Sequence, residues 1–220
     1  MLAVSCGMLS GCSIFNAFTP KPDPSKFFVL SPIPASQGNT TPADANVAIG
    51  VFNPQIPAYL DRPQIITRDG TNQVSMNEFE RWAEPVDAGI ARVMAQDMAV
   101  LTGSSQIAQF PGIRMFNQEF EVYVLVMQFD GMPGGDVHLR ARWRITGLGG
   151  KPNYYTKDTS LTDKATLMPN PYAGYVQALS DLVGQLSQEV TAALPDARAA
   201  EAKAIADEKA AATDTKPATP

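Results

Sequence analysis

One cysteine stands in a setting that favours covalent modification. Leu9, Ser10 and Gly11 precede Cys12, so a branched apolar residue and two small residues lead to a thiol. This order is typical of a bacterial lipobox, in which small side chains fit a narrow peptidase site and the thiol takes a diacylglycerol group. We therefore predict that Cys12 is lipidated. Cys6, the other cysteine of the chain, lies in a poorer context and is interpreted as part of an apolar run.

The residues on either side of Cys12 fit a secreted, anchored chain. Residues 1–11 are apolar and uncharged, as in the central region of a signal peptide, and we expect the charged start to lie upstream. A short buried N-terminal segment is the alternative. Residues 12–25 form the predicted lipidated tether, kept extended by Pro20, Pro22 and Pro24. Several acyl chains would hold the chain firmly at a membrane. Ser13, rather than an aspartate, follows the cysteine, which indicates the outer membrane and its periplasmic face.

Side chains suited to catalysis or to metal binding are scarce. His138 is the single histidine, and both cysteines lie before residue 13, so neither a two-histidine metal site nor a thiolate site can form. The glycine-rich run at 147–151 lacks the Walker spacing and is interpreted as a hairpin turn. His138 is expected to be a solvated or hydrogen-bonded surface residue. We predict that the chain is not an enzyme and needs neither a metal nor another cofactor.

Three arginines could form a row on one strand. Arg140, Arg142 and Arg144 alternate with apolar residues, which places their guanidinium groups on one face of a β-strand. Such a row could bind a carboxylate-bearing partner or lipid phosphates. The favoured alternative is cross-strand pairing with acids such as Glu119 and Glu121.

Composition narrows the classes of function that remain. The chain has 220 residues, 45% of them hydrophobic, and a formal net charge of −5. That length and hydrophobicity suit one packed domain with tails. The net negative charge argues against a nucleic-acid partner, which requires a surplus of cations on one face.

Hydrophobic periodicity predicts an α+β fold. Helical spacing of apolar residues indicates two helices, at 84–101 and 172–194. Short apolar runs between turn residues predict strands at 26–30, 47–52, 64–68, 73–76, 120–129, 137–145 and 154–160. Short connections favour an antiparallel sheet with both helices packed on one face, as a two-layer sandwich. The domain is expected to span 26–195. Residues 196–220 lack an apolar face and are predicted to be a disordered tail.

The densest group of interface-type residues lies before the first helix. Tyrosine, arginine and tryptophan are the usual anchors of protein interfaces. The candidate assembly or structural motif comprises Pro57, Tyr59, Leu60, Asp61, Arg62, Pro63, Arg68, Arg81 and Trp82. Ordinary core packing of the tryptophan, and pairing of Arg62 with Asp61 or Glu84, are the alternatives.

These residues, together with "EFEVYVLVMQFDG" and "LRARWRITG", resemble the ABC-type transport auxiliary lipoprotein family, the PqiC-like lipoproteins. The resemblance covers about residues 26–194. It implies a periplasmic lipoprotein of the outer membrane that docks onto a PqiB-like, tube-forming MCE-domain protein of an intermembrane phospholipid transport system. It also implies a ring-like homo-oligomer. An assembly factor for another outer-membrane machine is the alternative function.

Overall fold

The computed structural model describes residues 23–37, 45–113, 115–167 and 170–214. The predicted signal peptide, Cys12 and the tether up to residue 22 lie outside them. Within these described residues, eight strands and three helices follow one another. They are β1 (Lys26–Phe28), β2 (Ile49–Phe52), β3 (Gln64–Arg68), β4 (Val74–Trp82), α1 (Val86–Thr102), β5 (Ile107–Phe110), β6 (Phe120–Gly131), β7 (Asp136–Thr146), β8 (Asn153–Lys164), α2 (Pro171–Ala192) and α3 (Leu194–Asp214).

The predicted α+β class is confirmed, but the strands form two sheets. The small sheet has the order β1-β4-β3, and the large sheet has the order β5-β2-β6-β7-β8. β2 runs parallel to both β5 and β6, and β1 runs parallel to β4, so the sheets are mixed rather than purely antiparallel. Parallel neighbours need a long crossover connection. Here α1 and the hairpin of β3 and β4 supply the crossover between β2 and β5.

The first helix begins and ends where its sequence signals indicate. Pro85 immediately precedes α1, and Asp87 in the first turn complements the positive end of the helix dipole. Gly103 adopts a left-handed conformation with φ 74° and donates its N–H to the carbonyl of Ala99, which closes the last turn. The buried side of α1 includes Ile90, Val93, Met94 and Met98.

The second helix packs beside α1 on the same face of the large sheet. Asn170 caps its N-terminus, because the side-chain oxygen accepts the Tyr172 N–H at 2.9 Å, and Pro171 fits the first turn. The core between helices and sheet is filled by side chains such as Val122, Leu139, Trp143, Leu182 and Leu186.

A short segment ahead of β2, which we call the N-terminal strap (residues 30–33), lies across both helices. Arg92 of α1 donates to the Leu30 carbonyl at 2.9 Å. The Ser31 N–H donates to Ser180 Oγ of α2 at 3.1 Å, and the Ile33 N–H donates to Asp97 Oδ1 at 2.8 Å. A glycine at position 184 of α2 permits this approach, since a Cβ there would lie 2.7 Å from Ile33 Cγ2.

Over 196–214 the structure differs from the prediction of a disordered tail at 196–220, and residues 215–220 lie outside the described residues. Over 196–214 the chain continues as α3, whose first turn buries Leu194 and Ala197. Arg198 Nε lies 3.3 Å from Oε1 of Glu119, the residue that directly precedes β6. Pro195 is accommodated because the first turn of a helix needs no N–H donor from it, and the alanine, lysine and glutamate residues that follow favour helix.

None of the helices in the described part of the chain combines the length and apolar composition required to cross a bilayer.

Candidate functional site

Three side chains converge on one buried carboxylate, Asp130, near the end of β6. Arg68 donates from Nε to Oδ1 at 2.8 Å and from Nη2 to Oδ2 at 2.7 Å, as a bidentate pair. Tyr59 donates its hydroxyl to Oδ2 at 2.7 Å, and Gln128 donates Nε2 to Oδ1 at 2.9 Å. We call these four residues the Asp130 cluster. Asp130 has no solvent exposure, so its charge depends on these donors.

The Asp130 cluster joins the two sheets. Arg68 is the last residue of β3 in the small sheet, whereas Gln128 and Asp130 belong to β6 in the large sheet. A hydroxyl from α2 makes a second connection at the same place, because Tyr175 donates to the Ile66 carbonyl at 2.8 Å and accepts the Gly131 N–H at 3.0 Å. The geometry of this corner is therefore fixed by directional polar contacts from three elements.

The charges in the cluster reinforce one another. Burial alone would raise the pKa of Asp130, but the hydrogen bonds from Arg68, Gln128 and Tyr59 and the charge of Arg68 hold that pKa below its usual value. Burial and the adjacent carboxylate raise the pKa of Tyr59 to about 12. The hydrogen bond to Asp130 raises the pKa of Arg68. None of these three groups changes protonation near neutral pH, so the arrangement serves positioning rather than proton transfer.

The structure places the residues of the candidate motif in different environments. Tyr59 and Arg68 enter the Asp130 cluster, whereas Leu60 and Trp82 are core residues. The Trp82 N–H donates to the Pro63 carbonyl at 2.7 Å, and the Leu60 N–H donates to the Pro57 carbonyl at 2.9 Å, so both prolines act through the backbone.

The remaining charged members of the motif lie nearer the surface. Arg81 donates to the Glu78 carbonyl at 3.0 Å, and Asp61 is exposed. Arg62 Nη1 lies 2.9 Å from Met76 Sδ, rather than beside either acid considered for it. Glu84, one of those acids, instead accepts Arg92 Nη2 at 2.6 Å.

Sequence reasoning missed Asp130 as the residue that Tyr59 and Arg68 share. An acid directly after the buried Phe129, near the end of a largely apolar strand, was the signal available. Its partners lie 62 and 71 positions away along the chain, so spacing alone could not reveal them.

The outer face of the large sheet is open beside this cluster. In the described part of the chain, all three helices pack on the opposite face. Leu125 and Met127 of β6 are each 43% exposed, although they lie in the middle of the sheet. We name the surface formed by Leu125, Met127, Arg140, Arg142 and Arg144 the outer trough.

Two cavities lie along the outer trough. One, of about 410 Å³, is lined by Phe52, Tyr123, Leu125, Arg142 and Arg144 among others. The second, of about 490 Å³, is lined by Tyr59, Arg68, Met127, His138 and Arg140 among others. The Asp130 cluster thus bounds one end of the trough, and Tyr123, which stacks on Phe52 with ring centroids 4.6 Å apart, bounds the other end.

The arginine row exists, but its partners differ from the acids predicted. Arg142 makes a bidentate pair with Asp158 of β8, at 2.7 and 2.8 Å. The Arg144 guanidinium lies 5.0 Å from the centroid of the Tyr123 ring. The predicted acids are engaged elsewhere: Glu119 with Arg198, and Glu121 with the Tyr123 hydroxyl and the Gly150 N–H.

The single histidine makes a side-chain hydrogen bond at the surface of the large sheet. His138 Nδ1 lies 3.0 Å from Thr162 Oγ1 of β8, in agreement with a hydrogen-bonded surface residue. Among the described residues, no group of three histidine, cysteine, aspartate or glutamate side chains is placed to hold a metal ion. What the arrangement offers is a rigid, partly apolar and cationic surface.

Comparison with known proteins gives one family and a shared fold. The family model described as the ABC-type transport auxiliary lipoprotein component matches residues 28–191. No protein with a curated description matches the chain. A crystal structure of an uncharacterized protein is 17% identical, with a TM-score of 0.61, and the match covers 77% of this chain and 98% of that one. A crystal structure from Xanthomonas campestris, of the DUF330 family, is 10% identical, with a TM-score of 0.64 and coverage of 81% and 99%. At these identities the likeness to the solved structures concerns the fold alone.

Proposed function

Because the chain belongs to the ABC-type transport auxiliary lipoprotein family, we propose that it is a docking subunit of an intermembrane lipid transport system. In this proposal, lipid on Cys12 anchors it to the periplasmic face of the outer membrane. Its folded domain then binds a PqiB-like MCE-domain protein by contact, without catalysing a reaction. Several copies arranged as a ring would present the same surface repeatedly around the end of a tube.

The observation that carries the docking role is the open outer trough. A sheet covered on one face normally shows polar side chains on the other face. Here Leu125 and Met127 remain 43% exposed between the Phe52–Tyr123 stack and the Asp130 cluster. Aromatic residues, methionine and arginine are enriched in protein interfaces, and this surface combines all three.

The charge of the trough favours an acidic partner. The chain as a whole carries a formal charge of −5, yet three arginines lie side by side on β7. Asp158 pairs with Arg142, while Arg144 stacks on an aromatic ring and Arg140 is exposed. A complementary acidic surface would be attracted to this row, and the attraction would favour one orientation of docking.

Rigidity supports the same role. The Asp130 cluster fixes the position of β3 and of the loop containing Tyr59 at one edge of the trough. A surface that is already ordered before binding loses little conformational entropy when a partner docks.

The test is site-specific cross-linking of the full chain in its native membrane. A photo-crosslinking benzoylphenylalanine at Leu125 should capture an MCE-domain protein, identified by its mass. The same group at Gln177, an exposed residue of α2, is the matched control and should not capture it. A β-barrel protein captured at Leu125 would instead support the role of assembly factor, and capture of this chain alone would refute docking through the trough.

Two sets of variants complete the test. Arg140→Glu with Arg144→Glu should abolish co-purification of the MCE-domain protein while lowering the thermal unfolding midpoint only slightly, because both residues are exposed and Arg144 loses its contact with the Tyr123 ring. Cys12→Ala should release the chain from the membrane fraction. A Cys12→Ala chain that stays in the membrane and functions fully would refute the anchoring.

A further inference from the structure

We infer that the small sheet rests on the lipid surface through Phe27, Val29 and Phe79. This surface, the Phe27 patch, lies apart from the outer trough on the large sheet. The inference rests on the proposed function in one respect, because it assumes that Cys12 anchors the chain to a membrane.

Strand register places these residues on one face of the small sheet. Phe27 pairs with Arg81, and Phe28 pairs with Trp82. Trp82 is buried in the core, so the face that carries Phe27 points outward. Side chains alternate along a strand, which puts Phe79 on the same face as Arg81 and Val29 on the side of Phe27.

All three apolar side chains of the patch are largely exposed. Phe27 is 62% exposed, Phe79 is 50% exposed and Val29 is 49% exposed. Single exposed apolar residues are ordinary, but Phe27 and Phe79 lie on adjacent strands and Val29 directly follows β1, so three exposed apolar side chains surround Arg81 on one face of the small sheet. Such a surface marks contact with an apolar partner.

The position of the patch along the chain indicates which partner. Phe27 lies fifteen residues after Cys12, in the first strand that follows the predicted tether. An extended chain spans at most about 3.5 Å per residue, so an anchor at Cys12 keeps the patch within about 50 Å of the bilayer surface. At that separation the tether keeps the local concentration of the patch at the membrane high. A patch too weak to bind a membrane by itself can therefore still contact one.

The charges beside the patch are compatible with a membrane of low net charge. On the opposite face of the small sheet, Lys26 pairs with Glu80 at 3.2 Å. Arg81 donates to the Glu78 carbonyl, and its guanidinium lies 4.0 Å from the Glu78 carboxylate. The Phe27 patch therefore presents apolar side chains around one arginine whose charge is paired with Glu78, in contrast to the arginine row of the trough.

The absence of other free thiols makes the test selective. The chain has two cysteines, of which Cys6 precedes the predicted cleavage site and Cys12 would carry lipid. A nitroxide label on Phe79→Cys is then the single label on the mature, lipidated full chain. Gln177→Cys on α2 provides the matched control.

Spin-label accessibility in phosphatidylethanolamine and phosphatidylglycerol vesicles is the measurement. At position 79 we expect accessibility to shift toward lipid-soluble oxygen and away from a water-soluble nickel chelate, with the opposite preference at position 177. A label at 79 that stays accessible to nickel overturns the inference. Exclusion of both reagents with dipolar broadening between labels also overturns it, because the patch would then contact a second copy.

A second variant guards against an effect of the label itself. With the label moved to Val29→Cys, the substitutions Phe27→Asp and Phe79→Asp should return its accessibility to that of the control, and the exposed positions should tolerate them. Mass analysis of the Cys12 peptide separates the two proposals. If the protein is acylated and membrane-bound but its label at 79 stays exposed to water, the inference about the patch is wrong and the proposed anchoring stands. If the protein carries no acyl groups, the proposed anchoring is wrong.

Discussion

Two buried aspartates, Asp130 and Asp97, differ in the charge of the groups that contact them and in the direction in which their pKa is shifted. Asp130, where the sheets meet, accepts a bidentate arginine and has a pKa below its usual value. Asp97, between α1 and α2, is equally buried but accepts only neutral donors, the Ile33 N–H and Ser187 Oγ at 3.1 Å. Burial raises the pKa of Asp97, and its two hydrogen bonds only partly oppose that effect. A carboxylate of this fold is thus stabilised as an anion where a cation faces it, and not merely where hydrogen bonds are present.

The largest effect should follow removal of the cation. Arg68→Met leaves Asp130 buried without its charged partner, and such a change typically destabilises a protein by about 3–5 kcal/mol. Urea unfolding of the full chain measures the difference. Combining Arg68→Met with Asp130→Leu should recover part of the loss, because the buried anion is then removed as well. A loss in the single variant no greater than that of an ordinary surface substitution would show that Asp130 is not maintained as an anion.

A smaller loss should follow removal of one neutral donor from the same carboxylate. Tyr59→Phe deletes the hydroxyl that donates to Asp130 at 2.7 Å while Arg68 remains. Hydrogen bonds to charged groups contribute about 1.5–3 kcal/mol, and the half-buried Tyr59 should lie near the lower limit. The same unfolding experiment, with Tyr154→Phe at another half-buried tyrosine as control, measures it. A loss equal to that of Arg68→Met would mean that charge is not what distinguishes the two aspartates.

Lowering the pH should change the stability contributed by Asp130 and by Asp97 in opposite directions. The folded-state pKa of Asp130 is lowered, so its contribution to stability is present above the ordinary aspartate pKa and is lost as the pH falls through the folded value. The folded-state pKa of Asp97 is raised, so the stability it provides is present below the ordinary pKa and is lost as the pH rises through the folded value.

Asp97→Asn should therefore gain stability relative to the parent chain at neutral pH, and the gain should vanish in acid. Free energies of unfolding measured from pH 3 to pH 7 on both chains give the comparison. An Asp97→Asn variant that is less stable than the parent at neutral pH, with a difference that disappears in acid, would assign Asp97 a stabilised charge like that of Asp130.

The smallest effect is expected at an exposed ion pair of similar geometry. Arg142 and Asp158 form a bidentate pair as short as that of Arg68 and Asp130, but on the open face of the sheet. Solvent screens such a pair, so Arg142→Met should leave the unfolding midpoint unchanged within error. A marked loss would indicate that the outer trough is less hydrated than its exposure suggests.

Periodicity along the sequence was sufficient for the elements with long apolar patterns. The stripe on α2 and the alternation on β7 predicted both elements, because burial on one side imposes those periods. β5 was missed, although the equally short β2 was predicted, because Gln109 interrupts the apolar run of β5. α3 was missed because its helical propensity had no apolar stripe beside it, and its first turn finds a surface only once β8 is in place.

The sequence identified several residues of the candidate site, but it did not identify which residues contact one another there. Tyr59 and Arg68 were identified as interface-type residues, yet their shared partner on β6 depends on how two sheets meet. Cross-strand pairing of the arginine row was predicted with acids such as Glu119 and Glu121. Arg142 does pair across the sheet, but with Asp158 on β8, because the strand order decides which strands flank β7. Such long-range choices depend on tertiary packing, which sequence spacing does not encode.

The N-terminal strap has a mechanical consequence. Tension applied to the chain ahead of residue 23 is transmitted first to the three pairs of β1 with β4, and then to the hydrogen bonds of Leu30, Ser31 and Ile33 on the two helices. These attachments can rupture one after another while the large sheet and its helices remain folded. Each step would lengthen the connection between residue 23 and the large sheet, so a pulling force would extend the chain there before it unfolds the domain.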